Sequence, residues 1–258
     1  MAGQVWTRDE LLLALNLYYR IPFGQFNSSN SEVIALAQLI GRKPGAVAMK
    51  LSNFASLDPY HQARGISGLK NAAQGDRQIW EEFNRRWEDV ALESERVLQR
   101  LRKPQPENES ISSLNEDYSD LIATEAEQLT KVRIGQQFFR SMVLASYRFR
   151  CCVCGMPVPE VLVASHIIAW RDNPALRVDP RNGLCLCAIH DKAFDRGLMT
   201  ISADRHEVIL GKELRKRINE TSIERIFGAY QSLQITLPER HHPKSEYLEW
   251  HRTHYFLE

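Results

Sequence analysis

All five cysteines of this 258-residue chain fall between positions 151 and 187, and that clustering constrains the fold more than any other feature. The odd number and the local spacing suit a metal site better than a disulfide framework. Cys151 and Cys154 stand two residues apart with Gly155 following, and Cys187 and His190 repeat the interval further on. Two such knuckles form a Cys3His set of the kind that holds structural zinc. The alternative is a group of ordinary buried cysteines beside a turn. Cys152 and Cys185 lie off the pattern and are expected to pack as small apolar residues.

Between the knuckles run an apolar, β-rich segment (VLVASHII), an irregular stretch (WRDNPALRVDPRNG), and a second short strand passing into a helix (LCLCAIHDKAFDRG). Strand, loop, strand and helix between metal knuckles is a ββα-metal arrangement. His166 sits in the first strand, where it is either a satisfied core imidazole or a base aimed by its apolar neighbours. Asp191 and Asp195 are four residues apart, so both carboxylates fall on one helical face and suit a hard cation such as Mg or Mn.

These residues match a signature: Ala-Ser-His-Ile-Ile-x-Trp, then Asn-Gly-Leu-Cys-Leu, then His-Asp-x-x-Phe-Asp-Arg-Gly. The pattern resembles the HNH endonuclease family, in particular its bacterial restriction-endonuclease-like branch, over about residues 130 to 258 with a diagnostic core at 151 to 200. The resemblance implies metal-dependent hydrolysis of phosphodiester bonds in double-stranded DNA. His166 is then the general base, Asn182 fixes the loop that orients it, and the helix supplies catalytic-metal ligands from Asp191 and Asp195. Many members carry Asp or His immediately before the base as a metal ligand; here the residue is Ser165, a weak neutral donor. His190 has two readings: fourth zinc ligand beside Cys151, Cys154 and Cys187, or catalytic residue and ligand of the catalytic metal. Asp195 also has a plainer reading, in which Phe194 is core, Asp195 pairs with Arg196 and Gly197 caps the helix.

The first ninety or so residues read as helical. Thr7 and Glu10 have capping-box spacing before an apolar run that ends at Pro22. A helix from Ser31 to Ile40, a stop at Gly41, an Arg-Lys-Pro-Gly turn and a helix from Ala46 to Phe54 give a helix-turn-helix outline. Together with the opening Trp-Thr-x-x-Glu it resembles Myb-like and homeodomain-like trihelical modules. Arg42, Lys43, Lys50 and Asn53 are candidate DNA contacts there; the alternative is a small helical core with solvated charges at its turn. DRQIWEEFNRRWEDVALESERVLQRL reads as one charged helix anchored by Trp80, Phe83 and Trp87.

Residues 107 to 127 carry seven acids and no base, whereas from residue 126 onward 19 Lys and Arg face 15 Asp and Glu. Lys212, Arg215, Lys216 and Arg217 form a basic patch that could meet phosphates. The histidine-rich tail from Leu237 is expected to be a helix packing Tyr247, Leu248 and Trp250 on the core rather than a second metal site. No apolar run approaches the ~18 to 20 residues that span a bilayer, and a cytoplasmic location is expected.

The fold class expected is α+β. A mainly helical module with the helix-turn-helix-like pair (1–102) and an acidic, Pro- and Ser-containing linker (103–125) precede a ββα-metal domain wrapped by helices (126–258). The function expected is a restriction or defence endonuclease using Mg or Mn, with structural Zn and a dimer for double-strand cuts. The alternative is a catalytically inactive, zinc-containing DNA-binding protein or regulator.

Overall fold

A computed structural model describes residues 5–65, 72–102 and 132–258. The expected linker at 103–125 and residues 66–71 lie outside the described residues. The chain divides into two units, Met1–Phe138 and Phe139–Glu258, with the boundary inside one helix.

The first unit is helical: α1 (Arg8–Arg20), α2 (Ser31–Leu39), α3 (Pro44–Leu57), α4 (Pro59–Ala63), α5 (Gln74–Arg85), α6 (Trp87–Arg102) and the start of α7 (132–146). Thr7 and Glu10 close the capping box, with the Thr7 amide donating to Glu10 Oε2 at 2.7 Å and the Glu10 amide to Thr7 Oγ1 at 3.3 Å. Nine consecutive residues of α1, Leu11 to Tyr19, are buried, so this helix is the axis of the unit. Tyr19 stacks on Phe83 with ring centres 4.6 Å apart, and Tyr18 donates to Asp58 Oδ2 at 2.6 Å, which satisfies a hydroxyl taken into the core.

Two boundaries differ from the expectation. Proline at the first helical position needs no amide partner and has a helical φ, so α3 begins at Pro44 rather than Ala46. It runs on to Leu57, ending where Asp58 takes extended geometry before Pro59. The long charged helix is two helices: Arg86 leaves helical geometry (φ −140°, ψ 50°), and Phe83 and Trp87 meet edge to face across the break.

The helix-turn-helix-like pair is present, and three of its four candidate DNA contacts are engaged by acidic side chains within the unit. Lys50 Nζ lies 2.6 Å from Asp76 Oδ1, and Asn53 Nδ2 donates to Asp76 Oδ2 at 2.8 Å, all three residues being buried. A carboxylate out of water needs such donors, and α5 brings Asp76 to them. Arg42 is held by both Glu10 oxygens at 2.7 and 2.8 Å and lies over the Trp6 ring. Lys43 alone of the four remains exposed.

The second unit is built on an antiparallel pair, β1 (Leu162–His166) and β2 (Gly183–Cys187), followed directly by α8 (Ala188–Asp195). The register sets Ser165 opposite Leu184 and His166 opposite Gly183. A Cβ at Gly183 would stand 2.4 Å from Val143 Cγ2 and 2.9 Å from Phe139 Cζ, so only glycine lets β2 press this close to α7. A second pair, β3 (Met199–Ile201) and β4 (Val208–Leu210), precedes α9 (Lys212–Lys216), α10 (Thr221–Ile226) and α11 (Ser245–His254). The tail is a helix: Leu248 is fully buried, with Tyr247 and Trp250 partly so. Among the described residues no helix is long and apolar enough to cross a membrane.

Candidate functional site

The two knuckles meet. The ligand atoms of Cys151, Cys154, Cys187 and His190 all lie within 4.8 Å of one another. The first knuckle is shaped by Gly155, whose φ of +72° lets its amide turn back to the Cys151 carbonyl at 2.8 Å. The second is made by the junction of β2 and α8, where Cys187 is the N-cap and His190 lies in the first turn. His190 Nδ1 is 3.2 Å from Cys187 Sγ and 3.7 Å from Cys151 Sγ, and Cys154 Sγ is 3.9 Å from Cys187 Sγ. A tetrahedral zinc with Zn–S of about 2.3 Å separates its ligand atoms by roughly 3.5 to 3.8 Å, so the donor set fits that ion.

His190 Nε2 donates to the Ile226 carbonyl at 2.9 Å, the outer bond that fixes a metal-bound imidazole and commits the other nitrogen to the ion. Both ring nitrogens are therefore engaged, and none is left for a second metal beside Asp191 and Asp195. Of its two readings, the geometry fits the zinc ligand. Hydrogen bonds from the Cys151 and Cys154 thiols hold Cys187 far below an ordinary thiol. Burial opposes charge on His190, but the adjoining Cys151 and Cys187 sulfurs raise it to about 10. Cys152 and Cys185 are buried outside this group, and desolvation pushes Cys185 up to about 12.

The other sequence-derived residues gather next to the knuckles. His166 ends β1, its Nε2 2.9 Å from the Arg177 carbonyl oxygen. The ring is stacked on Phe139 at 3.9 Å and met edge-on by Trp170 at 5.5 Å. Burial pushes its pKa below the ordinary 6.5, partly offset by the bond to Arg177 and by the charge of Asp195. Asn182 ties the loop that follows: its Oδ1 accepts from the Ile168 amide at 2.8 Å, and its Nδ2 donates to the Ile168 and Leu176 carbonyls at 3.0 and 3.3 Å.

Asp191 is half-buried on α8 and raised by desolvation, with the Ser165 hydroxyl acting to lower it and Asp195 to raise it. Ser165 Oγ is buried beside that carboxyl, its contact there falling short of normal hydrogen-bond geometry among the described residues. Asp195 is exposed and shares with His166 a cleft of about 460 Å³. The plainer account of this helix end is also present in part: Phe194 is core, and Gly197 at φ +68° returns its amide to the Phe194 carbonyl at 2.9 Å. No ion pair joins Asp195 to Arg196 among the described residues.

Three of the lining groups, Arg171, Lys192 and Tyr255, carry no sequence signal. Trp170, Arg171, Lys192, Arg196 and Tyr255 border the cleft. Lys192 and Arg196 lie on the exposed side of α8 and just past its end. Lys212, Arg215, Lys216 and Arg217 are all exposed on and after α9.

Residues 151–202 match a family model described as HNH endonuclease. No curated protein matches the chain.

Proposed function

With an HNH endonuclease domain at residues 151–202 as premise, we propose that this chain is a metal-dependent DNA endonuclease of restriction or defence type, acting in the cytoplasm. The observation that carries the reading is the state of His166. Its Nε2–H is committed to the Arg177 carbonyl, so Nδ1 holds the free lone pair, and the ring borders a cleft with Asp195 and three cations. A base needs an unprotonated nitrogen near neutrality, and burial of His166 supplies one.

In the reaction, His166 Nδ1 takes a proton from a water as that water attacks phosphorus, and the bond to the leaving oxygen breaks. Asn182 keeps the following loop fixed, so the ring does not reorient when DNA arrives. Asp191 and Asp195, with Ser165 beside them, are the oxygen donors that would hold a Mg or Mn ion. Such an ion, when bound, stabilises negative charge on the phosphate and leaving group. Lys192, Arg196 and Arg171 grip neighbouring phosphates, while Lys43 and the α9 cluster Lys212, Arg215, Lys216 and Arg217 add contacts further along the duplex. One such site cuts one strand, so a double-strand break takes a homodimer or two successive nicks. The helical module at 1–102, joined by the acidic segment 103–125 to the nuclease part at 126–258, serves to position it.

Plasmid cleavage with Mg or Mn tests the proposal: wild type nicks or linearises DNA and His166→Ala does not. Equal activity in both would sink the assignment. Ser165, standing where a stronger metal ligand is common in the resembling family, favours one rival, a zinc-containing DNA-binding protein that has lost catalysis. A gel shift without cleavage across several metals would identify it.

A further inference from the structure

The loop between β1 and β2 contains a second fastening besides Asn182. Arg177 Nε donates to the Trp170 carbonyl oxygen at 3.0 Å, and the guanidinium carbon lies 5.0 Å from the centre of the Trp170 ring. The same residue's carbonyl receives His166 Nε2 at 2.9 Å, and the Trp170 ring meets the imidazole edge-on at 84°. Arg177 therefore touches the histidine twice, once through its own main chain and once through the tryptophan that its side chain holds. Phe139 covers a face of the ring, stacked within 10° of parallel.

We propose that Arg177 is a positioning residue for His166, a role that rests on the nuclease reading above. Its side chain, by pinning Trp170, fixes the segment whose carbonyl selects the Nε2–H form of the imidazole and aims Nδ1 into the cleft. A planar guanidinium suits this task because one face lies on the indole while an edge N–H reaches a carbonyl. Asn182 holds Ile168 and Leu176 but makes no bond to the Trp170 or Arg177 main chain. The fastening by Arg177 is therefore not duplicated by the one the motif supplies. The hydrogen bond matters chemically because an imidazole with Nδ1–H and a bare Nε2 would present a proton, not a lone pair, to the water.

Two variants of the full chain test this, Arg177→Met, which keeps the aliphatic reach without N–H groups, and Arg177→Lys, which keeps the charge. Nitrogen-15 NMR of histidine reads the tautomer of His166, assigned by its loss in His166→Ala. Cleavage kinetics, zinc content and melting are measured alongside. The expectation is a single Nε2–H tautomer in wild type and a mixture in Arg177→Met. In that variant kcat falls about 10- to 100-fold, the usual range for losing an outer-shell support, KM stays within a few-fold and zinc stays bound. Arg177→Lys recovers part of both. A wild-type tautomer and kcat in Arg177→Met would overturn the proposal. If Arg177→Met does not fold, Arg177→Lys decides, since an unchanged tautomer and pH profile there overturns it equally. Should wild type cleave no DNA, the nuclease reading fails separately, while the tautomer still reports whether Arg177 controls His166.

Discussion

His190 Nε2 stands 2.9 Å from the Ile226 carbonyl oxygen, a bond that reaches 36 residues along the chain to settle which nitrogen faces the cysteines. Removing the imidazole therefore removes a ligand and its support together. His190→Ala is expected to lose bound zinc and with it the folded state of the second unit, since metal affinity at such sites is folding free energy. His190→Cys, which restores a fourth thiolate, is expected to keep one zinc per chain. Metal analysis with near-UV circular dichroism checks both, and full zinc retention by His190→Ala would exclude the tetrahedral assignment.

His251 gives a pH-dependent term in stability. It is buried under Phe194, bonded to Thr200 Oγ1 at 2.9 Å and the Phe194 carbonyl at 3.2 Å, and desolvation lowers its pKa to about 4. The unfolded chain binds a proton near 6.5, so between pH 6.5 and 4 the unfolded state holds more protons and stability falls as pH drops. The loss across that window is of order 3 kcal/mol. Below pH 4 this contribution is flat. Melting of wild type against His251→Gln, whose side chain does not titrate, is expected to show a difference that shrinks as pH falls from 6.5 to 4. Parallel curves would refute the link.

Lys192 and Arg196 border the same cleft as His166. Replacing both by Gln is expected to weaken DNA binding and reduce the slope of log K against log salt by about 2, near 0.9 for each phosphate contact released. The measurement is fluorescence anisotropy of a labelled duplex without added divalent ion, over a salt series. The matching change at Lys212 and Arg215 serves as comparison. An unchanged slope in Lys192→Gln/Arg196→Gln would show these cations to be a solvated face.

In the first unit, Asp76 is fully buried and shared by Lys50 and Asn53. Asp76→Ala leaves the Lys50 ammonium in the core with the Trp6 ring but no carboxylate, and is expected to cost about 3–5 kcal/mol. Lys50→Met in the Asp76→Leu background is expected to recover much of it. Chemical denaturation checks the series; a loss in Asp76→Ala below about 1 kcal/mol would mean that Lys50 escapes to water.

Much of this was readable from local spacing. The capping box at Thr7 and Glu10, the knuckles at Cys151 and Cys187, and the apolar strand around His166 depend on residues within a few positions of one another, and each appears where the pattern puts it. What spacing could not convey is pairing at a distance. Lys50 and Asn53 have the composition of a DNA-reading helix, and only Asp76, 23 to 26 residues on, turns them inward. The ambiguity of His190 is of the same kind, because its neighbours Cys151 on one side and Ile226 on the other are both distant in sequence. Arg177 was illegible because an irregular loop has no period from which to infer what a side chain touches.

Cys187 is at once the last residue of β2, the N-cap of α8 and a member of the Cys3His group. In a chain growing from its N-terminus, the first knuckle is complete at Cys154, yet no tetrahedral site exists until His190 has been added. Closing a loop of that length costs about 3 kcal/mol in chain entropy, which a metal ion binding all four donors offsets. Strand pairing, helix initiation and metal uptake thus converge on one short segment. A cell starved of zinc would be expected to accumulate this protein with its second unit unformed, the base and its cleft among the parts never made.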